Sequence, residues 1–227
     1  MAPELDAVRA DFESAPHAER VLGRTFHRGV LHGHRAVAVI AGIGKTAVAA
    51  TTTLLIDRYA VERVVLVGAA GGVGAAVSLG DVVVATELVH HDLDARPIFP
   101  RYQVPALGAA RLATDAALSG LAIAAAQDFV ARDAGRSAAV VGGLVLSGDR
   151  FMGARAIRGL RRRFPDGLAV EMEGAAVAQV CIEAGTPCAI VRSISDDGDA
   201  DAFRAFLAED CGRYAAGIVR RMLAAID

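Results

Sequence analysis

Two stretches of this chain end apolar runs on ionisable groups: Val170-Glu171-Met172-Glu173-Gly174 and, one helix length later, Ala189-Ile190-Val191-Arg192-Ser193-Ile194-Ser195-Asp196-Asp197. A run of that kind predicts a buried strand whose C-terminal end delivers Arg, Ser and Asp to a cleft, where open α/β sheets hold their ligands. Glu173 opens the helix before the second strand, so carboxylates from two neighbouring elements can converge on one small molecule. Such a set suits acid–base work on a polar substrate. The same residues also suit plainer tasks. Asp196 and Asp197 can cap a helix after a strand, and Glu173 with Arg192 can be a structural ion pair at a cleft edge.

The elements that must position these groups alternate in type. A short helix is expected over residues 3–14, and strands over 25–31 and 35–41 make a hairpin around Gly33. A helix follows from Gly44 to about Tyr59, then buried strands Val64 to Val67 and Val82 to Val89 separated by a glycine-rich turn. Further on come a Pro- and aromatic-rich loop (Arg96 to Pro105), an Ala-rich helix from about Ala109 to Asp133 with a break near Gly120, a strand from Ala138 to Leu146 and a helix from Arg155 to Arg163. One closing helix is expected from Ala202 to Ile226. The alternation predicts a three-layer α/β/α sandwich.

The 227 residues suit a single domain, and the hydrophobic fraction of 54% comes in short runs well under the ~20 residues that span a bilayer. The start, Met1-Ala2-Pro3-Glu4, has no signal-peptide pattern, which points to a cytoplasmic protein. Cys181, Cys188 and Cys211 lack metal or disulfide spacing and read as reduced core residues. His90 and His91 read as a strand end satisfied locally, without a metal. A net charge of -2 gives no field for nucleic acid or an anionic membrane. The cluster Arg161-Arg162-Arg163 reads as a solvated helix face.

Over nearly its whole length the chain carries, in order, Ala41-Gly42-Ile43-Gly44-Lys45, Gly68-Ala69-Ala70-Gly71-Gly72, Leu79-Gly80-Asp81-Val82-Val83, His91-Asp92-Leu93-Asp94 and Ser147-Gly148-Asp149, ahead of the two stretches above. This series resembles the nucleoside phosphorylase/hydrolase superfamily, and within it the 5'-methylthioadenosine/S-adenosylhomocysteine nucleosidases. The resemblance implies a nucleoside phosphorylase-like fold with a central mixed sheet, and hydrolysis of the bond between adenine and a 5'-thio-substituted ribose, with no cofactor and no metal. Its transition state is ribosyl-cation-like, so the site must protonate the leaving purine and position a water.

By that resemblance Asp196 is the general acid at purine N7, a task that needs a raised pKa, and Glu4 is the base for the water, with Arg192 beside it. Glu173 accepts from the ribose hydroxyls and Met172 packs on the sugar. Phe151 stacks on adenine next to Met152, Ile43 lies near the 5' substituent, and Phe203 closes over it. Ala69, Gly71 and Ser195 complete the substrate set. Phe99, Tyr102 and Pro105 resemble a loop that reaches the neighbouring subunit's site, so a homodimer is expected. Taken without a family, Glu4 reads as a first-turn helix carboxylate, and Phe151, Met152, Met172 and Phe203 as core.

The pattern departs from the family in two places. The family has a strand ahead of the segment matched by Met1-Ala2-Pro3-Glu4, so a domain lacking its first strand is expected. Ala69 stands where the family often has Ser or Thr. Leu66 occupies the place of a phosphate-binding arginine of the phosphorylases, which favours water as nucleophile. A related nucleosidase (for aminodeoxyfutalosine), a phosphorylase, and a catalytically silent nucleoside-binding protein stay open as alternatives.

Overall fold

The computed structural model describes residues 1–133, 135 and 137–226. Its first part runs α1 (Ala2–Arg9), β1 (His17–Val21), β2 (Arg24–Leu31), β3 (His34–Ala38) and α2 (Lys45–Asp57). The middle holds β4 (Val64–Gly72), β5 (Val82–His90), β6 (Leu112–Ala113), α3 (Ala116–Asp133), β7 (Val140–Ser147) and α4 (Ala154–Arg163). It closes with β8 (Gly167–Glu171), α5 (Gly174–Ala184), β9 (Cys188–Asp196), α6 (Ala200–Glu209) and α7 (Cys211–Ala224). No helix among the described residues is long and apolar enough to cross a membrane.

The central sheet is mixed, in the order β6-β5-β7-β8-β4-β9, and β5 also pairs antiparallel with β9 so that the sheet curls back on itself. Both faces are covered, as the α/β/α expectation required. On one face Val48 of α2 and Ala175, Val177 and Cys181 of α5 pack on Val83, Val145 and Ile190. On the other, Phe129 of α3, Phe206 of α6 and Tyr214, Ile218 and Met222 of α7 pack on Val82, Ala189 and Val191. Strand β9 is buried at every position, which is why its sequence reads as a continuous apolar run and not an alternating one. Helix α5 stops where Gly185 turns left-handed (φ 65°) and its N–H, with that of Thr186, takes up the last carbonyls.

A separate three-stranded antiparallel sheet, β1-β2-β3, precedes this core. Among the described residues β3 pairs only with β2, and β4 pairs with β9 from Val64 to Gly71 but with β8 only at Gly71 and Gly72. The β3 edge and residues 64–70 of β4 therefore carry no strand between them among the described residues, and a cavity opens there.

Several expectations need correction. Strand β1 was not foreseen, because His17-Ala-Glu-Arg-Val is half exposed and lacks apolar alternation. The hairpin around Gly33 forms, but its second strand ends at Ala38, and α1 ends at Arg9. The Ala-rich helix starts at Ala116 and runs through Gly120 unbroken, residues 112–113 having joined the sheet as β6. The closing helix is two helices, because Asp210 interrupts it as a buried residue whose carboxylate pairs with Arg213. Gly68 to Gly72 are not a turn but the second half of β4. All three cysteines are free and buried.

Candidate active site

The C-terminal end of β9 and the N-terminus of α5 meet at a cluster of charges. Arg192, only 3% exposed, pairs through Nη2 with Glu171 and lies 3.4 Å from Glu173 Oε2. Glu171, at the last position of β8, is saturated. Its Oε1 accepts from the Ser147 hydroxyl, and its Oε2 accepts the Glu173 and Gly174 N–H groups at 3.0 and 2.7 Å besides the guanidinium. Those two N–H groups belong to the first turn of α5, so the helix dipole adds to the stabilisation of the carboxylate. A buried guanidinium is tolerable only with such partners. Its Nε is buried without a hydrogen-bond partner among the described residues.

Glu173 caps α5 and points the other way. Its Oε1 accepts the Gly44 N–H at 3.0 Å, tying the start of α2 to the site. Gly44 has φ 89°, open to glycine at little cost, and a Cβ there would approach Asp149 Oδ1 to 3.0 Å. Asp149 in turn accepts the Lys45 N–H at 2.7 Å, and Lys45 Nζ bonds Asp92 at 2.6 Å. Burial, opposed by Arg192 and reinforced by Glu171, pushes the Glu173 carboxyl above its ordinary range.

Asp196 ends β9 at 5% exposure. Ser195 Oγ donates to its Oδ2 at 2.7 Å and the Gly198 N–H to its Oδ1 at 2.7 Å, so the carboxyl is fixed in orientation. Ser195 Oγ also lies 3.2 Å from the Ala70 carbonyl, which ties this strand end to β4. Glu4, on α1, is buried at 7% and forms an ion pair with the Met1 ammonium. Gly68 separates Glu4 from Arg192, and a side chain there would collide with the guanidinium. That close approach is what the glycines of β4 provide.

One cavity of about 1120 Å³ brings together Asp196, Glu4, Arg192, Glu173, Met172, Phe151, Met152, Ile43, Ala69, Gly71, Ser195 and Phe203. The rings of Phe151 and Phe203 meet edge to face with centroids 5.9 Å apart. Phe151 is 48% and Ile43 69% exposed, so neither is core. Phe99, Tyr102 and Pro105 stand outside the cavity: Phe99 is exposed, and Tyr102 packs on Phe164 with centroids 5.1 Å apart. His90 bonds Gln179 at 3.1 Å, but its Nδ1 and the His91 Nε2 are buried without partners among the described residues, so the two are not fully satisfied locally as expected.

Sequence reasoning gave no role to Glu171 or Ser147, although both stand in the motifs. A carboxylate at a strand end one position before Met172 was the available sign. Its partners come from β7, α5 and β9, which no local pattern connects.

A curled mixed α/β sheet with a carboxylate–arginine cluster at its strand ends and an aromatic pair beside it defines an α/β protein built to hold a small polar ligand where its strands end. The family model described as "Phosphorylase superfamily" matches residues 1–224. The 5'-methylthioadenosine/S-adenosylhomocysteine nucleosidase of Geobacillus thermodenitrificans is 39% identical over 232 residues, covering 100% of this chain and 94% of that protein. That of Colwellia psychrerythraea is 39% identical over 202 residues, covering 86% and 80%. The crystal structure of the Neisseria meningitidis nucleosidase in complex with methylthio-immucillin-A superposes with a TM-score of 0.90 at 36% identity, covering 100% of this chain and 96% of that one. The chain belongs to the 5'-methylthioadenosine/S-adenosylhomocysteine nucleosidase family of the phosphorylase superfamily.

Proposed function

We propose that this chain hydrolyses the N-glycosidic bond of 5'-methylthioadenosine and S-adenosylhomocysteine, releasing adenine and the 5'-thioribose product. The observation that carries the reading is the pair of carboxyl groups on adjoining strand and helix ends, Asp196 and Glu173, facing one cavity with Arg192 between two glutamates. Asp196 donates a proton to N7 as the C1'–N9 bond breaks, and its two fixed donors hold it toward the base. Glu173 accepts from the ribose hydroxyls, and Met172 packs on the sugar. Glu4 takes the proton of the water that adds to C1', with Arg192 beside it. Phe151 and Phe203 part to admit the base and the alkylthio group, with Met152 and Ile43 at their sides and Ala69, Gly71 and Ser195 behind the sugar.

The same reading makes the protein a single-domain cytoplasmic homodimer. The exposure of Ile98 at 80% and Phe99 at 37% supports the 96–105 segment as the subunit contact, with Tyr102 and Pro105 shaping it. A second reading, aminodeoxyfutalosine as substrate, draws on the likeness to the futalosine hydrolase of Helicobacter pylori, TM-score 0.88 at 31% identity. Adenine release from methylthioadenosine with and without phosphate tests the proposal. Phosphate-independent release with a free thioribose is expected. A ribose 1-phosphate product would make the protein a phosphorylase, and tight adenosine-analogue binding without release would make it a silent binder.

A further inference from the structure

Glu4 stands between two cavities. One is the large cavity of the candidate site; the other, behind it, is a small cavity of about 10 Å³, the lower limit of the space that one water needs. It lies between strands β4 and β9 and helices α6 and α7, with Val67, Val191, Phe206 and Ile218 as apolar walls. Four side chains bring a heteroatom to it. Two are committed elsewhere, since the Cys211 thiol donates to the Leu207 carbonyl at 2.8 Å and the Tyr214 hydroxyl to the Gly80 carbonyl at 3.0 Å. The others are the Glu4 carboxylate and the Ser193 hydroxyl.

Ser193 is 6% exposed, and no protein group among the described residues bonds its hydroxyl. Alternation along β9 aims it at the small cavity. Ile190 and Ile194 pack on the α5 side of the sheet, Ala189 and Val191 on the α7 side, and Ser193 follows Val191 by two positions. It does not line the large cavity, so it does not touch a substrate there. A buried hydroxyl without a partner is costly, and a buried water shared with a second polar group removes that cost. We propose that Ser193 is a positioning residue for the base. One water in the small cavity accepts from the Ser193 hydroxyl and donates to Glu4, with the Cys211 sulfur as a weaker third partner. It holds the back of the carboxylate while the front faces the water that adds to C1', which preorganises the base before the bond breaks. The positioning role rests on the proposed hydrolysis; the buried water does not.

The register of the sheet supplies the test. Ala69 on β4 is the parallel partner of Ser193 and lines the same cavity, so a hydroxyl moved there can hold the same water. A crystal structure of the full chain should show a water within about 3.2 Å of both Ser193 Oγ and a Glu4 carboxylate oxygen. In Ser193→Ala kcat for methylthioadenosine should fall by about tenfold, while KM stays within about twofold and Tm within about 2 °C of the wild type. Adding Ala69→Ser to Ser193→Ala should bring kcat back to within about threefold. A merely structural serine would lower Tm and would not be relieved from the neighbouring strand. An empty cavity, an unchanged kcat in Ser193→Ala, or a loss that Ala69→Ser does not restore would each overturn the proposal. A wild-type chain that holds the water but releases no adenine would instead overturn the hydrolysis, and the positioning role would fall with it.

Discussion

Strands β9 and β4 lie side by side in parallel register, yet all nine residues of β9 are buried and only three of nine in β4. The first is enclosed by neighbouring strands and by helices on both faces, while the second gives half its edge to a cavity. The candidate catalytic groups follow this division. Arg192, Ser195 and Asp196 ride on the closed strand, where orientation is fixed by packing and by defined hydrogen bonds. The open strand contributes glycines and small residues that let those groups approach. Precision therefore resides in β9 and accommodation in β4, which fits the need for preorganised groups at a reacting centre.

The largest effect should come from the end of the closed strand. Asp196→Asn keeps size and one hydrogen-bond acceptor but cannot protonate the purine, so kcat for methylthioadenosine should fall by about 10³-fold with inhibitor affinity retained. Steady-state kinetics alongside calorimetric titration of an adenosine analogue measures both. Wild-type turnover would remove Asp196 from the acid role.

Ile190→Ala probes the same strand in its middle. The side chain is fully buried between the sheet and α5, so urea unfolding should show a loss of about 2–5 kcal/mol. A smaller loss would mean that the closed edge relaxes as the open one does.

Glu173 gives a pH signature. Burial raises its carboxyl, so the folded protein binds this proton more tightly than the unfolded chain does. The corresponding stability is therefore complete below the unfolded carboxyl pKa and is lost as pH rises through the raised folded value. Substrate binding runs the opposite way, because the ribose hydroxyls need the ionised acceptor. KM should climb as pH falls toward that raised pKa, and Glu173→Gln should raise KM at neutral pH by about tenfold, the worth of one hydrogen bond to a charged group. The variant should also flatten this limb of the KM profile, a change that a purely structural ion pair would not produce.

What was legible in the sequence follows the same division. The run Ala189-Ile190-Val191 and its polar ending announced β9 because burial on both faces leaves a continuous apolar signature. The candidate residues drawn from it do gather at one cavity. Strand β1 carries no such signature, since its residues face solvent on a small sheet. The break between α6 and α7 was hidden because Phe206, Tyr214 and Ile218 keep helical spacing across Asp210. The Glu171 role depends on Ser147, Gly174 and Arg192, partners 3 to 24 residues away that only the fold assembles. An open edge is invisible to any local pattern, because Val64-Val65-Leu66-Val67 would read the same with a strand on either side.

That last point makes the smallest predicted effect the sharpest test of the comparison. Leu66 in β4 pairs in register with Ile190 in β9, so the two side chains sit at matched positions of neighbouring strands. Truncation costs the transfer free energy of the lost methylenes plus a term for the new void. At Leu66 part of the surroundings is already cavity, fewer atoms lose contacts, and solvent can relax into the space. Leu66→Ala should accordingly cost less than about 1.5 kcal/mol, with the difference from Ile190→Ala read directly from paired urea titrations. Equal losses would show that the β4 edge is closed in solution, and the contrast between the two strands would fail with it.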